Sequence, residues 1–175
     1  LKKGNTIYKE LSERELSCIE DIARQPRVQT NNTQNNLINM TPLDMSKDGF
    51  AKSIQEKFTK NYLLDGQKGA ARFAVDNLLK DDQGKLQYVC TDPSRQIYRF
   101  KTLTGDLERD VKAKKLTKAL VENLTKKSHN ISASEIDGND TDVFVVYTSN
   151  FQDIRDLAND NGDFRAELAS LTTIK

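Results

Sequence analysis

Apolar residues alternate with polar ones in one part of this chain only, residues 86–103; on either side their spacing is helical. That single change of period limits the fold to helices gathered around a small piece of sheet. Leu86, Tyr88 and Cys90 alternate with Lys85, Gln87 and Val89, and Ile97, Arg99, Phe100 and Leu103 follow. Thr91-Asp92-Pro93-Ser94-Arg95 reads as the turn between two short strands, and Thr104-Gly105-Asp106 closes the second. An isolated hairpin is marginal in water, so this one must lie against helices or join another sheet. The expected fold class is therefore α+β and predominantly helical, with helices packed on a short antiparallel hairpin and an N-terminal stem helix.

The helical stretches are read from apolar stripes. Residues 5–25 carry Ile7, Leu11, Cys18, Ile19 and Ile22 at spacings of three, four and seven, and Pro26 ends them. A second helix is predicted over 46–61 from Phe50, Ala51, Ile54, Phe58 and Tyr62. A third over 67–80 has a thin face of Gly69 and alanines suited to close helix approach. Asp110 is expected to cap a fourth helix running from Val111 to about Lys127. Thr141 or Asp142 opens a fifth, although Val143-Phe144-Val145-Val146-Tyr147 also has strand propensity; a last helix follows over 164–171.

Between the first and second helices, Asn31-Asn32-Thr33-Gln34-Asn35-Asn36 has no periodicity and little apolar surface. The expected organisation is a stem helix at 1–26, a flexible linker at 27–41 and a globular α+β domain at 42–175. The stem stripe is consistent with the end of a coiled coil. The chain starts at Leu1 rather than Met and lacks the apolar segment of a signal peptide, so it reads as a piece of a longer intracellular protein. Cys18 and Cys90 then read as reduced, buried small residues.

The sequence carries 27 basic and 26 acidic side chains, but they are not mixed. Residues 49–127 hold an excess of seven positive charges and residues 128–175 an excess of six negative ones. Such segregation allows two readings: the acidic part covers the basic part, in the same chain or a neighbouring one, or the basic part meets an external polyanion. For the second reading the candidate contacts are Lys68, Arg72, Arg95, Arg99, Lys112, Lys114, Lys115 and Lys118. Chemistry finds little support. No glycine precedes Lys-Ser/Thr in a phosphate-loop spacing, and one His with two Cys makes no closed zinc site. Asp160-Asn161-Gly162-Asp163 fails as a calcium loop because Leu168 falls where the last carboxylate is needed. A Cys90–His129–Asp92 set has no nucleophile signature around it. No enzyme activity, cofactor, metal or small-molecule substrate is expected, and no apolar run is long enough for a membrane span.

Several pieces between Asp65 and Leu120 carry a likeness. They are Leu64-Asp65-Gly66-Gln67-Lys68-Gly69, Phe73-Ala74-Val75, Tyr88-Val89-Cys90-Thr91-Asp92-Pro93-Ser94-Arg95, Tyr98-Arg99-Phe100 and Asp110-Val111-Lys112-Ala113-Lys114-Lys115-Leu116. This part, about a third of the chain, resembles a domain of uncharacterised proteins from large DNA viruses and some phages. In those proteins it commonly follows a long coiled coil, sometimes with a zinc finger further upstream; this chain holds no zinc finger. The resemblance implies a viral protein of the infected-cell cytoplasm or the virion, with residues 1–25 ending a coiled-coil stem, and it implies no activity. The functional expectation is a non-enzymatic interaction or assembly module that forms a homo-oligomer through its stem. The alternative is nucleic-acid binding by the basic block at 49–127.

Overall fold

The computed structural model describes residues 37–174. The expected stem helix and residues 27–36 of the expected linker lie outside the described residues. The compact unit that carries every element below runs from Met40 onward. Met40 is itself buried, and Thr41 donates its hydroxyl to Asp81 (2.8 Å), so the folded unit begins two residues before the expected boundary.

Helix α1 spans Lys47–Lys57 and starts at Ser46, whose hydroxyl accepts the Gly49 amide. It turns Phe50 and Ile54 inward. The continuous helix predicted over 46–61 is broken: Phe58 is extended, and Thr59, β-branched and a preferred helix-start residue, opens the short α2, Lys60–Leu63. The break sets α2 hard against α3, Gly66–Asn77. A Cβ on Gly69 would lie 1.8 Å from the Tyr62 carbonyl oxygen, so only glycine fits there. Phe73 is fully buried, with its ring edge-on to Phe58 (5.1 Å between centroids) and Tyr62 (5.3 Å). Helix α3 ends three residues earlier than predicted, with Leu78 as its C-cap.

The sheet has three antiparallel strands in sequence order, β1 Tyr88–Asp92, β2 Ile97–Lys101 and β3 Leu107–Val111. The hairpin expected from the alternation is β1–β2; β3 is an addition to it. Its pattern is inverted, which hid it. The apolar Leu107 and Val111 face outward, half exposed, while Asp110, 1 % exposed, points into the core opposite Tyr98. On this inner face Tyr88 stacks on Tyr98 and Phe100, at 5.1 and 6.1 Å. The opposite face carries Val89, Ile97, Arg99, Arg109, Val111 and Leu107.

Helix α4, Lys114–Glu135, runs eight residues further than predicted. Past Leu124 its buried face continues with Ser128 and Ser132 instead of apolar residues, so the stripe fades in sequence while the helix goes on. Neither serine hydroxyl has a hydrogen-bond partner. Helix α5, Thr141–Arg155, is capped by Asp140, which accepts the Asp142 and Val143 amides. The strand-prone run therefore folds as helix, burying Tyr147 and leaving Phe144, Val145 and Val146 about half exposed. A 3-10 turn, Asp156–Ala158, leads into α6, Gly162–Thr172. Helix α6 packs along α3 and reaches β1; α4 packs on α1, α5 and β3. The molecule is thus a predominantly helical α+β fold around one core shared by helices and the sheet's inner face. Among the described residues no helix is long and apolar enough to cross a membrane.

Candidate interaction groove

Two parts of the sequence far apart in number meet at the end of the sheet. The turn after Asp92 and the junction after Asp110 are joined by the Lys112 amide, which donates to Gln96 O at 2.8 Å. Gln96, Lys112 and Ala113 all adopt positive φ (54°, 57° and 56°), a conformation that costs a non-glycine residue about 1–2 kcal/mol. Several bonds hold the corner. Asn161 donates its side-chain amide to Lys112 O (3.0 Å) and to the Thr117 hydroxyl (3.0 Å), and Thr117 donates that hydroxyl to Ala113 O (2.7 Å). Asp110 accepts the Lys115 and Leu116 amides, at 2.9 and 3.0 Å, together with the Tyr88 hydroxyl at 2.8 Å. The helix expected to start at Val111 starts instead at Lys114, with Ala113 as its N-cap residue; Asp110 serves its first amides from the end of a strand. Burial, and then the Asp110 charge, push the Tyr88 phenol well above its ordinary range, so it stays a donor.

This corner forms one side of a groove of about 440 Å³ between the first turns of α4 and the segment leading into α6. Lys112, Lys114, Lys118 and Arg165 line it, with buried Thr117 and Asn161 at its base and Val121, Leu157 and Ala158 as apolar walls. None of the four cations forms an ion pair among the described residues. Asn161 steadies Arg165 through a 3.4 Å hydrogen bond. Because Asp110 already occupies the first amides of α4, the positive character of the groove comes from side chains.

The remaining candidates are not part of this groove. Lys115 pairs with Glu108 at 2.9 Å, Arg72 pairs with Asp65, and Arg95 reaches Asp92 at 3.8 Å across its own turn. In that turn Asp92 accepts the Ser94 hydroxyl and the Arg95 amide, which together hold its carboxyl below the usual range. Lys68 is exposed on α3. Arg99 lies on the outer face of the sheet, opposite Arg109. The eight-residue basic set expected from the sequence therefore reduces to Lys112, Lys114 and Lys118, joined by Arg165. Arg165 was hidden because it stands in an acidic part of the sequence and reaches the groove only through the α6 packing.

Among the described residues no acidic side chain lines this groove. Asp153 lies against the start of α3, close to Gly66, and its carboxyl is pushed up by burial and by the charges of Asp156 and Asp163. Gln67 fastens that region by donating to Asp153 O (2.9 Å) and Asp160 O (2.7 Å) and accepting the Phe164 amide (3.3 Å). A second hollow of about 520 Å³ is floored by Leu43, Met45, Phe100 and Ala119; at its rim Lys115 pairs with Glu108 and Lys47 with Glu122, Asp44 accepts the Ser46 amide, and Lys118, shared with the groove, forms no ion pair among the described residues.

Cys90 is buried under β1, and burial pushes its thiol up, while His129 is exposed on α4 beside Phe151. The two do not form a nucleophile–base pair. Among the described residues no cluster of His, Cys, Asp and Glu could hold a metal ion. No protein-family model, curated protein or solved structure matches this chain.

Proposed function

We propose that this chain is a non-enzymatic interaction and assembly module that associates through separated surfaces of opposite charge. The observation that carries the reading is the groove of Lys112, Lys114, Lys118 and Arg165, left without ion pairs in a protein whose formal net charge is only +1. Four like charges in one concavity raise each other's energy, and a partner carrying the opposite sign removes that cost. Near-neutrality favours a protein partner over a long polyanion, since nucleic-acid-binding domains are usually strongly basic and this sequence has a pI near 7.9. The likeness at Cys90–Arg95 and Lys112–Leu116, the second of which supplies Lys112 and Lys114 to the groove, supports a role in a viral or phage protein of the infected-cell cytoplasm or virion. Oligomerisation through the stem at residues 1–26 remains part of the proposal.

Sedimentation velocity of the full chain over a range of concentrations, from low salt to about 0.5 M, tests it. A mass that rises with concentration and falls with salt is expected. A monomer at every concentration in low salt overturns the reading. A second reading, nucleic-acid binding at the same four cations, has the unpaired groove in its favour. It requires affinity for an oligonucleotide whose log–log salt slope falls by about one unit per lysine removed.

A further inference from the structure

Helix α4 carries charges of opposite sign at its two ends, and both signs run against its macrodipole. Lys114, Lys115 and Lys118 stand in its first turns, while Glu135, paired with Lys60 at 3.7 Å, ends it, Asp137 and Asp140 follow in an exposed connection, and Asp142 stands exposed in the first turn of α5. Cations at a helix start and anions at its end are each mildly unfavourable within one molecule. The acidic connection is followed at once by the exposed Phe144 and Val145, so it offers carboxylates and apolar surface side by side. The groove at the other end offers the complement, with cations over the apolar walls Val121 and Leu157.

These two surfaces cannot meet within one molecule. A helix of 22 residues is about 33 Å long, and the connection lies past its far end. We infer that the groove receives the acidic α4–α5 connection of a second copy of this chain, the Asp137 and Asp142 carboxylates meeting Lys114, Lys118 and Arg165, and Phe144 closing on Leu157. This deepens the assembly reading above and rests on it. The contact uses different surfaces on the two copies, so each molecule keeps one free groove and one free connection, and the assembly grows head to tail into rings or chains. The charged pairs steer the encounter, and Phe144 and Val145 supply the apolar part of the contact.

The test is charge-reversal complementation in the full chain, read by sedimentation velocity. One variant is K114E/K118E, which makes the groove acidic; the other is D137K/D142K, which makes the connection basic. All four positions are exposed, and Asp140, the cap of α5, is left in place. Circular dichroism of each variant confirms that it is folded. Each variant alone is expected to associate about 100-fold more weakly than the unmodified chain, because its groove and connection now share a sign, and an equimolar mixture is expected to recover association. If both variants alone associate as the unmodified chain does, or if the folded pair fails to associate when mixed, the inference is overturned while the assembly reading survives through another surface such as the stem. If the unmodified chain is a monomer throughout, the assembly reading itself falls. Single-stranded and duplex oligonucleotides are titrated in parallel. Binding that K114E/K118E abolishes, with the mass unchanged, assigns the groove to nucleic acid and also overturns the inference.

Discussion

On the inner face of the sheet Tyr88, Tyr98 and Asp110 each have hydrogen-bond partners, the Tyr98 hydroxyl donating to Arg165 O at 2.6 Å. On the outer face Arg99 and Arg109 stand directly opposite each other, and neither has an ion pair among the described residues. The two faces belong to the same strands; the outer one buries Val89 and Ile97 but leaves its two arginines partly or fully exposed to water. Where solvent is excluded, an unpaired donor or charge costs kilocalories, so the geometry of the inner face is fixed by its polar groups as much as by its stacked rings. Where solvent is present, two facing guanidinium groups cost only tenths of a kilocalorie, and the strands tolerate them.

Asp110→Ala should break the inner face most severely. It leaves the Tyr88 hydroxyl and two helix-start amides without an acceptor inside the core, and a loss of about 3 kcal/mol in a denaturant titration is expected. A loss below about 1 kcal/mol would mean that water reaches the site.

Alkaline pH tests the same face without mutation. Burial raises the phenols of both Tyr88 and Tyr98. The unfolded chain releases those protons near pH 10, while the folded chain keeps them. Stability should therefore be full below about pH 10 and fall above it, by about 1.4 kcal/mol per pH unit for each tyrosine. Tyr98→Phe should reduce that slope by one proton's worth in urea titrations at rising pH.

Ser128→Ala addresses the exception to the rule of the interior, a buried hydroxyl without a partner. Removing it should raise stability by about 1 kcal/mol, since Ala is also the better helix former. A loss instead would place an ordered water on that hydroxyl. Arg109→Gln, on the outer face, should raise stability least, by about 0.5 kcal/mol, and the gain should shrink in high salt.

How much of this was legible depended on whether the determining contact was local. The thin face of α3 could be read from Gly69 and its alanines, and the structure adds the Tyr62 carbonyl that requires them. Asp110 could be read as an acceptor for helix-start amides, but the sequence pattern places the helix from Val111, three residues early, because the positive-φ turn at Lys112 and Ala113 carries no glycine to mark it. Strand β3 could not, because its inward positions are Glu108 and Asp110, and an acid turned into a core makes sense only once Tyr88 and the start of α4 are known to meet it. The far third of α4 was lost for a related reason, two serines standing where the pattern needs apolar residues. Lys112, Lys114 and Lys118 were visible as a basic run; Arg165 and Asn161 join them across about fifty residues of sequence, through packing that no periodicity encodes.

Strand β3 also governs how this protein behaves in a crowded solution. It is the last strand of its sheet on that side, and a free strand edge invites another copy to zip onto it. An antiparallel copy centred on Arg109 would place Leu107 across from Val111, an attractive match, but it would also set Arg109 against Arg109 and Glu108 against Asp110. Three repulsive rungs out of five make that zipper unstable. The same odd arrangement of charges that hid β3 in the sequence thus guards its edge against pairing with another copy.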